Sequence, residues 1–294
     1  MTVLEAIQKS TEFLAKKGVD SPRLQTELLL AHALKMPRMK LYLNFERGLT
    51  TAETDVLREL IKRRSQREPL QHIIGSTSFC GYEIAVNRHV LVPRPETELL
   101  AELGWQFLLA TPKQNEGGSS SPNAQPATAL DLCTGSGCIA IALAAKCPAA
   151  TITATDISGD ALGLAKENAA QNNVAAQIEF LQGDVFAALP ADARFDLISS
   201  NPPYIPSAEI ATLQPEVRDF DPHGALDGGA DGLEFYRLIA AQAKVFLKPG
   251  GKTMVEFGDD QAEAICKIFE TEKWIVEGVK EDYSHRARIL IAKL

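Results

Sequence analysis

From Ala129 onward, apolar β-forming runs alternate with stretches of helical spacing, and this alternation constrains the fold more than any other feature of the chain. Strands are expected near 129–133, 151–156, 177–181, 195–200, 251–257, 274–280 and 287–293. Helices are expected near 138–146, 159–171, 233–247 and 260–271. Such a pattern builds a mostly parallel sheet with helices on both faces. The last two strands are joined by a short loop, so one of them should run antiparallel.

The first 70 residues read differently. Leu4, Ile7, Phe13 and Leu14 fit one amphipathic face. Ser21-Pro22 reads as an N-cap followed by proline at the first helical position, and Leu24, Leu28, Leu29, Ala31 and Leu34 follow with helical spacing. Thr51 to Thr54 opens a further helix with the stripe Val56, Leu57, Leu60 and Ile61. Residues 1–70 are therefore a small helical bundle without a catalytic constellation. Residues 71–92, with Ile73, Ile74, Phe79, Tyr82, Ile84, Val86 and Val90, read as a β-hairpin connector. Residues 93–294 form the catalytic domain, interrupted by a Pro/Ser/Gly-rich segment, 111–129, that reads as a flexible surface loop.

Charge narrows the function classes. Residues 1–70 carry 13 Lys/Arg and 9 Asp/Glu, whereas the remainder carries 17 basic and 29 acidic residues. A catalytic portion of net −12 argues against a long nucleic-acid footprint, which needs cationic neutralisation of phosphates. No apolar run approaches a membrane span, and the first residues lack a signal-peptide profile. The five cysteines form no CxxC pair and the five histidines no HExxH pattern, so free thiols in a reducing compartment and no metal are expected.

The chemistry sits at strand ends. Leu130 to Ala140 is a strand, a glycine turn and a helix start, with Gly135 and Gly137 allowing close backbone approach. Asp131 just before that turn suits a cationic amino-acid moiety and disfavours a pyrophosphate. Thr155-Asp156 ends the second strand, where a carboxylate accepts from two ribose hydroxyls or caps the next helix. Asp184, after the third strand, accepts from an adenine amino group or is a loop acid, with Val185 or Phe186 covering the ring. Asn201-Pro202-Pro203-Tyr204 follows the fourth strand. Prolines stiffen that loop, leaving one amide side chain and free carbonyls to hold a flat –NH₂ group.

These motifs resemble class I S-adenosylmethionine-dependent methyltransferases that act on a planar –NH₂. Together with Leu91-Val92-Pro93-Arg94-Pro95-Glu96-Thr97-Glu98 and Glu216-Val217-Arg218, they are similar to the peptide chain release factor glutamine methyltransferases, the HemK/PrmC family. The resemblance spans nearly the whole chain. It implies an α/β fold with a Rossmann-like sheet, a helical substrate-recognition domain and S-adenosyl-L-methionine as cofactor. It further implies methylation of the Gly-Gly-Gln glutamine of class 1 release factors by a cytoplasmic monomer. Expected cofactor contacts are Asp131, Cys133, Thr134, Gly135, Ser136, Gly137, Asp156, Asp184, Val185, Phe186 and Asn201. Expected catalytic residues are Asn201, Pro202 and Tyr204, and Pro203 and Arg94 join them in binding substrate. Cys133 stands where many relatives have glycine. A ribosomal-protein glutamine methyltransferase shares the motif set, and a nucleic-acid amino-methyltransferase uses the same loop on a flipped base.

Overall fold

The computed structural model describes residues 1–111 and 126–294, so most of the loop expected at 111–129 lies outside the described residues. The chain divides into two compact units, Met1–Ser76 with Leu213–Phe220, and Thr77–Thr212 with Asp221–Leu294. Among the described residues, no helix is long and apolar enough to cross a membrane.

The first unit contains α1 (Val3–Lys16), α2 (Pro22–Ala33), α3 (Arg38–Leu41), α4 (Thr51–Ser65) and α5 (Leu70–Ile74). Two capping boxes start the long helices. Thr2 and Glu5 exchange backbone and side-chain bonds at α1, and Thr50 and Glu53 do so at α4. The second helix begins at Thr51 as expected, with Thr50 as its cap because the acid three positions on, Glu53, pairs with Thr50. Ser21 is not a side-chain cap; it takes φ 46°, and Pro22 alone sets the start of α2. The buried faces also differ from the sequence pattern. Phe13, Leu24 and Val56 are exposed, while Val3, Ala6, Ile7, Leu14, Leu29 and Leu30 fill the core. Residues 71–74, expected as part of the hairpin connector, are helical instead and belong to α5. Pro69 precedes this turn, Gly75 at φ 91° ends it, and Ile73 joins the helical core.

The second unit contains the hairpin β1 (Ser76–Phe79) and β2 (Tyr82–Ala85), then α6 (Pro95–Ala110), β3 (Thr128–Leu132), α7 (Cys138–Lys146), β4 (Thr151–Asp156), α8 (Gly159–Gln171), β5 (Ile178–Gln182) and β6 (Phe195–Ser200). One helical turn, α9 (Pro215–Arg218), falls within the segment that groups with the first unit. The chain ends with α10 (Glu234–Phe246), β7 (Leu247–Glu256), α11 (Ala262–Thr271), β8 (Ile275–Glu281) and β9 (Ala287–Lys293). The seven-stranded sheet has the order β5-β4-β3-β6-β7-β9-β8. β9 runs antiparallel to both neighbours, and the other pairings are parallel. Alternate strand residues serve opposite faces. Ala129, Leu197 and Met254 pack on one side with α6 and α7 residues, and Leu130, Ile198 and Val255 pack on the other with Tyr236, Ile265 and Phe269.

The chain leaves β3 to build β4 and β5 on one side, then returns to build β6 and β7 on the other. The reversal lies between β3 and β6, and in open α/β sheets ligands bind in the crevice at that point. Register brings the motif residues together there. Leu132 pairs with Thr155 and Ser200, and Asp156 pairs with Gln182. Cys133, Asp156, Gly183 and Asn201 thus emerge side by side at the carboxyl edge.

Candidate active site

A cavity of about 650 Å³ opens at this edge, entirely within the α/β unit. Its wall includes Cys133, Thr134, Gly135 and Ser136 from the glycine turn, Asp156 after β4, and Asp184 and Val185 after β5. Asn201 and Pro203 after β6, with Arg94 and Thr97 around the start of α6, complete the opposite side.

The glycine turn is held from behind. Asp131 is fully buried; its Oδ2 accepts from Thr134 Oγ1 at 2.6 Å and from the Ala140 amide at 3.2 Å. Its Oδ1 has no hydrogen-bond partner among the described residues. Burial pushes this carboxyl up to about 7, although the Thr134 and Ala140 bonds favour its charged form. Gly137 takes φ 81°, and a Cβ there would stand 3.0 Å from the Ala165 Cβ, so the close approach of α7 and α8 requires glycine. Buried Asn168 on α8 binds the Ser136 carbonyl at 2.9 Å and both backbone groups of Ala85, tying turn, helix and hairpin together.

Asp156 faces the cavity with its carboxylate already ordered. Oδ2 accepts from the Gly135 amide at 2.8 Å and Oδ1 from the Ser158 amide at 2.9 Å. Ser158, not Asp156, caps α8. Burial raises the Asp156 carboxyl, and the Ser158 and Gly135 amides work against that shift. Asp184 is exposed at the rim. Val185 lines the cavity at φ 46°, a left-handed conformation unusual for a β-branched residue. Phe186 is turned away into the core and stacks on Phe246 with ring centroids 5.2 Å apart.

The Asn201 amide is pinned at one end. Its Nδ2 donates to Thr97 Oγ1 at 3.1 Å, and its Oδ1 has no partner among the described residues. Tyr204 sits behind the wall. Gln261 Nε2 donates to its carbonyl at 2.9 Å, and its ring packs on Gly258, where a Cβ would come within 2.9 Å. Arg94 Nη2 pairs with Asp221 Oδ2 at 2.9 Å. Burial lifts Asp221 to about 6 despite the nearby Arg94 charge and the Val92 amide.

Residues 5–75 match the family model described as PrmC N-terminal domain, and residues 108–214 match Methyltransferase small domain. A release factor glutamine methyltransferase of Geobacter sulfurreducens is 44% identical over 91% of this chain and 88% of its own length. A second, from Chlorobaculum tepidum, is 42% identical over 96% of this chain and 94% of its own. The chain belongs to the release factor glutamine methyltransferase family. A methyltransferase structure from Pyrococcus furiosus, 19% identical, superposes with a TM-score of 0.52 over 79% of this chain and 97% of that one, which shows the class I methyltransferase fold.

Around this cavity, the residues expected from sequence fall into two groups. Cys133, Thr134, Gly135, Ser136, Asp156, Asp184, Val185, Asn201, Pro203 and Arg94 line the cavity. Asp131, Gly137, Phe186, Pro202 and Tyr204 are not among its lining residues and support those that are. Thr97, Glu256, Gln261 and Gly228 were missed. Thr97 lay inside the proline-flanked run already singled out. Gly228 carried a signal in the run Asp227-Gly228-Gly229: a Cβ there would meet Tyr204 Cα at 2.8 Å and the Pro203 carbonyl at 2.9 Å. Glu256, an acid ending an apolar strand, has meaning only through register.

Proposed function

We propose that this protein transfers a methyl group from S-adenosyl-L-methionine to the side-chain amide nitrogen of the glutamine in the Gly-Gly-Gln motif of class 1 release factors. The observation that carries the reading is the Asn201 amide, whose nitrogen is tied to Thr97 and whose oxygen is left as an unpaired acceptor.

The residues present fit the cofactor. Asp131 lies outside the cavity lining, but its Oδ1 is a buried acceptor without a described partner beside the lining residue Thr134, a costly state that a cationic amino group reaching it would relieve. The ordered Asp156 carboxylate suits ribose hydroxyls, Asp184 suits an adenine amino group, and Val185 covers the ring. When bound, S-adenosyl-L-methionine supplies an electrophilic methyl carbon.

The chain's task is to prepare the nucleophile. An amide nitrogen is poor because its lone pair is delocalised. Asn201 Oδ1 accepts one amide hydrogen and the Pro202 carbonyl accepts the other, while Tyr204 backs the flat group. Both acceptors stabilise positive charge developing on nitrogen, and fixed alignment removes an entropic cost of roughly 7–11 kcal/mol in favourable cases. Arg94 contributes to holding the substrate segment.

Substrate recognition falls to the helical unit, which carries the basic excess and lacks catalytic groups. A short glutamine peptide offers few contacts, so orienting it draws on binding elsewhere on a folded substrate. The test offers labelled methyl donor in parallel to intact release factor, its Gly-Gly-Gln peptide, a ribosomal protein and nucleic acid. Transfer to the intact factor, with the peptide far poorer, is expected. Preferential transfer to nucleic acid or to the ribosomal protein overturns the substrate assignment.

A further inference from the structure

Glu256 ends β7 and is 2% exposed, as is Thr97 near the start of α6. Ser200 pairs with Val255 in the sheet, so the next residues on each strand, Asn201 and Glu256, emerge as neighbours. The Thr97 hydroxyl and the Asn201 amide both lie against the Glu256 carboxyl and favour its ionised form. Glu256 Oε2 has no hydrogen-bond partner among the described residues. Glu256 is absent from the cavity lining, whereas Thr97 and Asn201 are part of it. Any influence of Glu256 on chemistry therefore passes through those two side chains.

An asparagine amide presents either face with nearly the same shape, and surroundings decide which. We propose that Thr97 and Glu256 are positioning residues that fix the Asn201 amide in its productive orientation. The Glu256 carboxylate accepts the Thr97 hydroxyl proton. The Thr97 oxygen then acts as the acceptor for Asn201 Nδ2, as its 3.1 Å distance records. Turning the amide over would set Asn201 Oδ1 against a carboxylate and a hydroxyl whose proton is already committed. It would also present an –NH₂ to the substrate's own –NH₂. The pair thus selects Oδ1 as the group offered to substrate. This inference rests on the proposed role of Asn201.

The test is a double-mutant cycle on the full-length protein with intact release factor. Thr97→Val keeps shape and removes the acceptor. It should lower kcat about ten- to a hundredfold, the scale of a small misplacement of a reacting group. KM for release factor and the dissociation constant of S-adenosyl-L-methionine should stay within about twofold, and Thr97→Ser should restore most of the rate. In an Asn201→Ala background, Thr97→Val should add less than about twofold, because residues acting through one group are non-additive. Glu256→Gln, which keeps an acceptor for Thr97, should retain more activity than Glu256→Leu. A Thr97→Val rate close to the parent overturns the proposal while leaving Asn201 in place. A further drop in the Asn201→Ala background, or a loss confined to KM, overturns it as well. If Asn201→Ala itself retains the parental rate, the underlying reading of Asn201 fails, and the two failures are told apart.

Discussion

In the helical unit, Glu27 is 1% exposed and lies between Arg23, Arg38 and Tyr42, at 3.0, 2.8 and 2.8 Å. Glu216, brought into that unit by the Leu213–Phe220 segment, bridges Arg64 and Arg67 at 2.6 Å each. Burial alone would raise both acids, but hydrogen bonds from arginines hold Glu27 and Glu216 below the ordinary carboxylate range. At the carboxyl edge of the sheet the balance reverses. Burial lifts Asp131 and Glu256 to about 7 and Asp221 to about 6, and each keeps one oxygen without a partner among the described residues. Acids with complete partners hold structure together. Asp131, Asp221 and Glu256 do not line the cavity; each lies against a residue that does, Thr134, Arg94 and Thr97 respectively, and an incomplete set of partners there carries a free-energy cost.

The largest effect should come from the unpaired side of this contrast. Asn201→Ala is expected to lower single-turnover methyl transfer by about 10²–10³, the range for removing a group that stabilises developing charge. Its unfolding midpoint should fall only slightly, since Asn201 Oδ1 makes no described bond and the Nδ2 bond to Thr97 is worth about 0.5–1.5 kcal/mol. A loss smaller than about tenfold on that scale would remove the amide clamp.

The next effect separates the two kinds of acid directly. Glu216→Ala leaves Arg64, whose side chain is only 4% exposed, with Gln25 and the Glu68 carbonyl but no carboxylate, and should destabilise by about 1.5–3 kcal/mol. Glu256→Gln removes a charge that burial already disfavours, and at pH 8 should stabilise by about 1 kcal/mol. Urea unfolding of both variants measures this. Equal destabilisation by the two would erase the distinction between fully partnered acids and those behind the cavity wall.

The same asymmetry explains what was legible in the sequence. The strand–helix alternation, the reversed last strand and the glycine turn depend on local patterns, and the sheet forms them with boundaries shifted by a few residues. β7, for example, begins at Leu247 where 251 was expected, because Leu247 already pairs with Phe195 before a register shift leaves Lys248 to Gly251 outside the pairing that resumes at Lys252. Cavity-facing motifs were legible because they end strands. The helical faces were harder: Leu24 and Phe13 fit an apolar stripe yet are exposed, and Glu27, a charged residue, is buried. Its partners Arg38 and Tyr42 come from another helix and the turn after it, which no single-helix pattern reports. Glu256 was invisible for the same reason. Its role depends on the pairing of β6 with β7 and on Thr97, 159 positions away in the chain.

A smaller, pH-dependent effect follows from the raised acids. Asp131, Glu256 and Asp221 have folded values above their ordinary ones, so the folded state holds their protons more tightly than the unfolded chain. Stability from this source is full below about pH 4 and is lost as pH rises through about 6 to 7. The lowered acids Glu27 and Glu216 act oppositely, and their contribution is lost only at more acidic pH. The ligand-free protein should therefore be more resistant to urea at pH 5.5 than at pH 8, and Asp131→Asn should flatten the difference. A midpoint that rises steadily toward pH 8 would show that the acids behind the cavity wall carry no such cost.

The smallest effect concerns the glycine turn. Cys133 lies at φ 58°, the left-handed region where a side chain meets its own backbone at a cost of roughly 1–2 kcal/mol. Glycine adopts that conformation freely but loses more entropy on folding, which offsets part of the gain. Burial pushes the Cys133 thiol well above its usual value, and the Asp156 and Asp131 charges push the same way, so the sulfur stays protonated and is no nucleophile. Cys133→Gly should therefore stabilise by about 0.5–1 kcal/mol, a gain of the size seen when a residue is matched to its backbone conformation. Cofactor affinity should be unchanged, because the Gly135 amide, bonded to Asp156, orders the turn from the other end. Differential scanning calorimetry with and without S-adenosyl-L-methionine reads both quantities. A fall in affinity without a change in stability would make the Cys133 side chain a ligand contact, moving it from the strained frame to the cavity's chemistry.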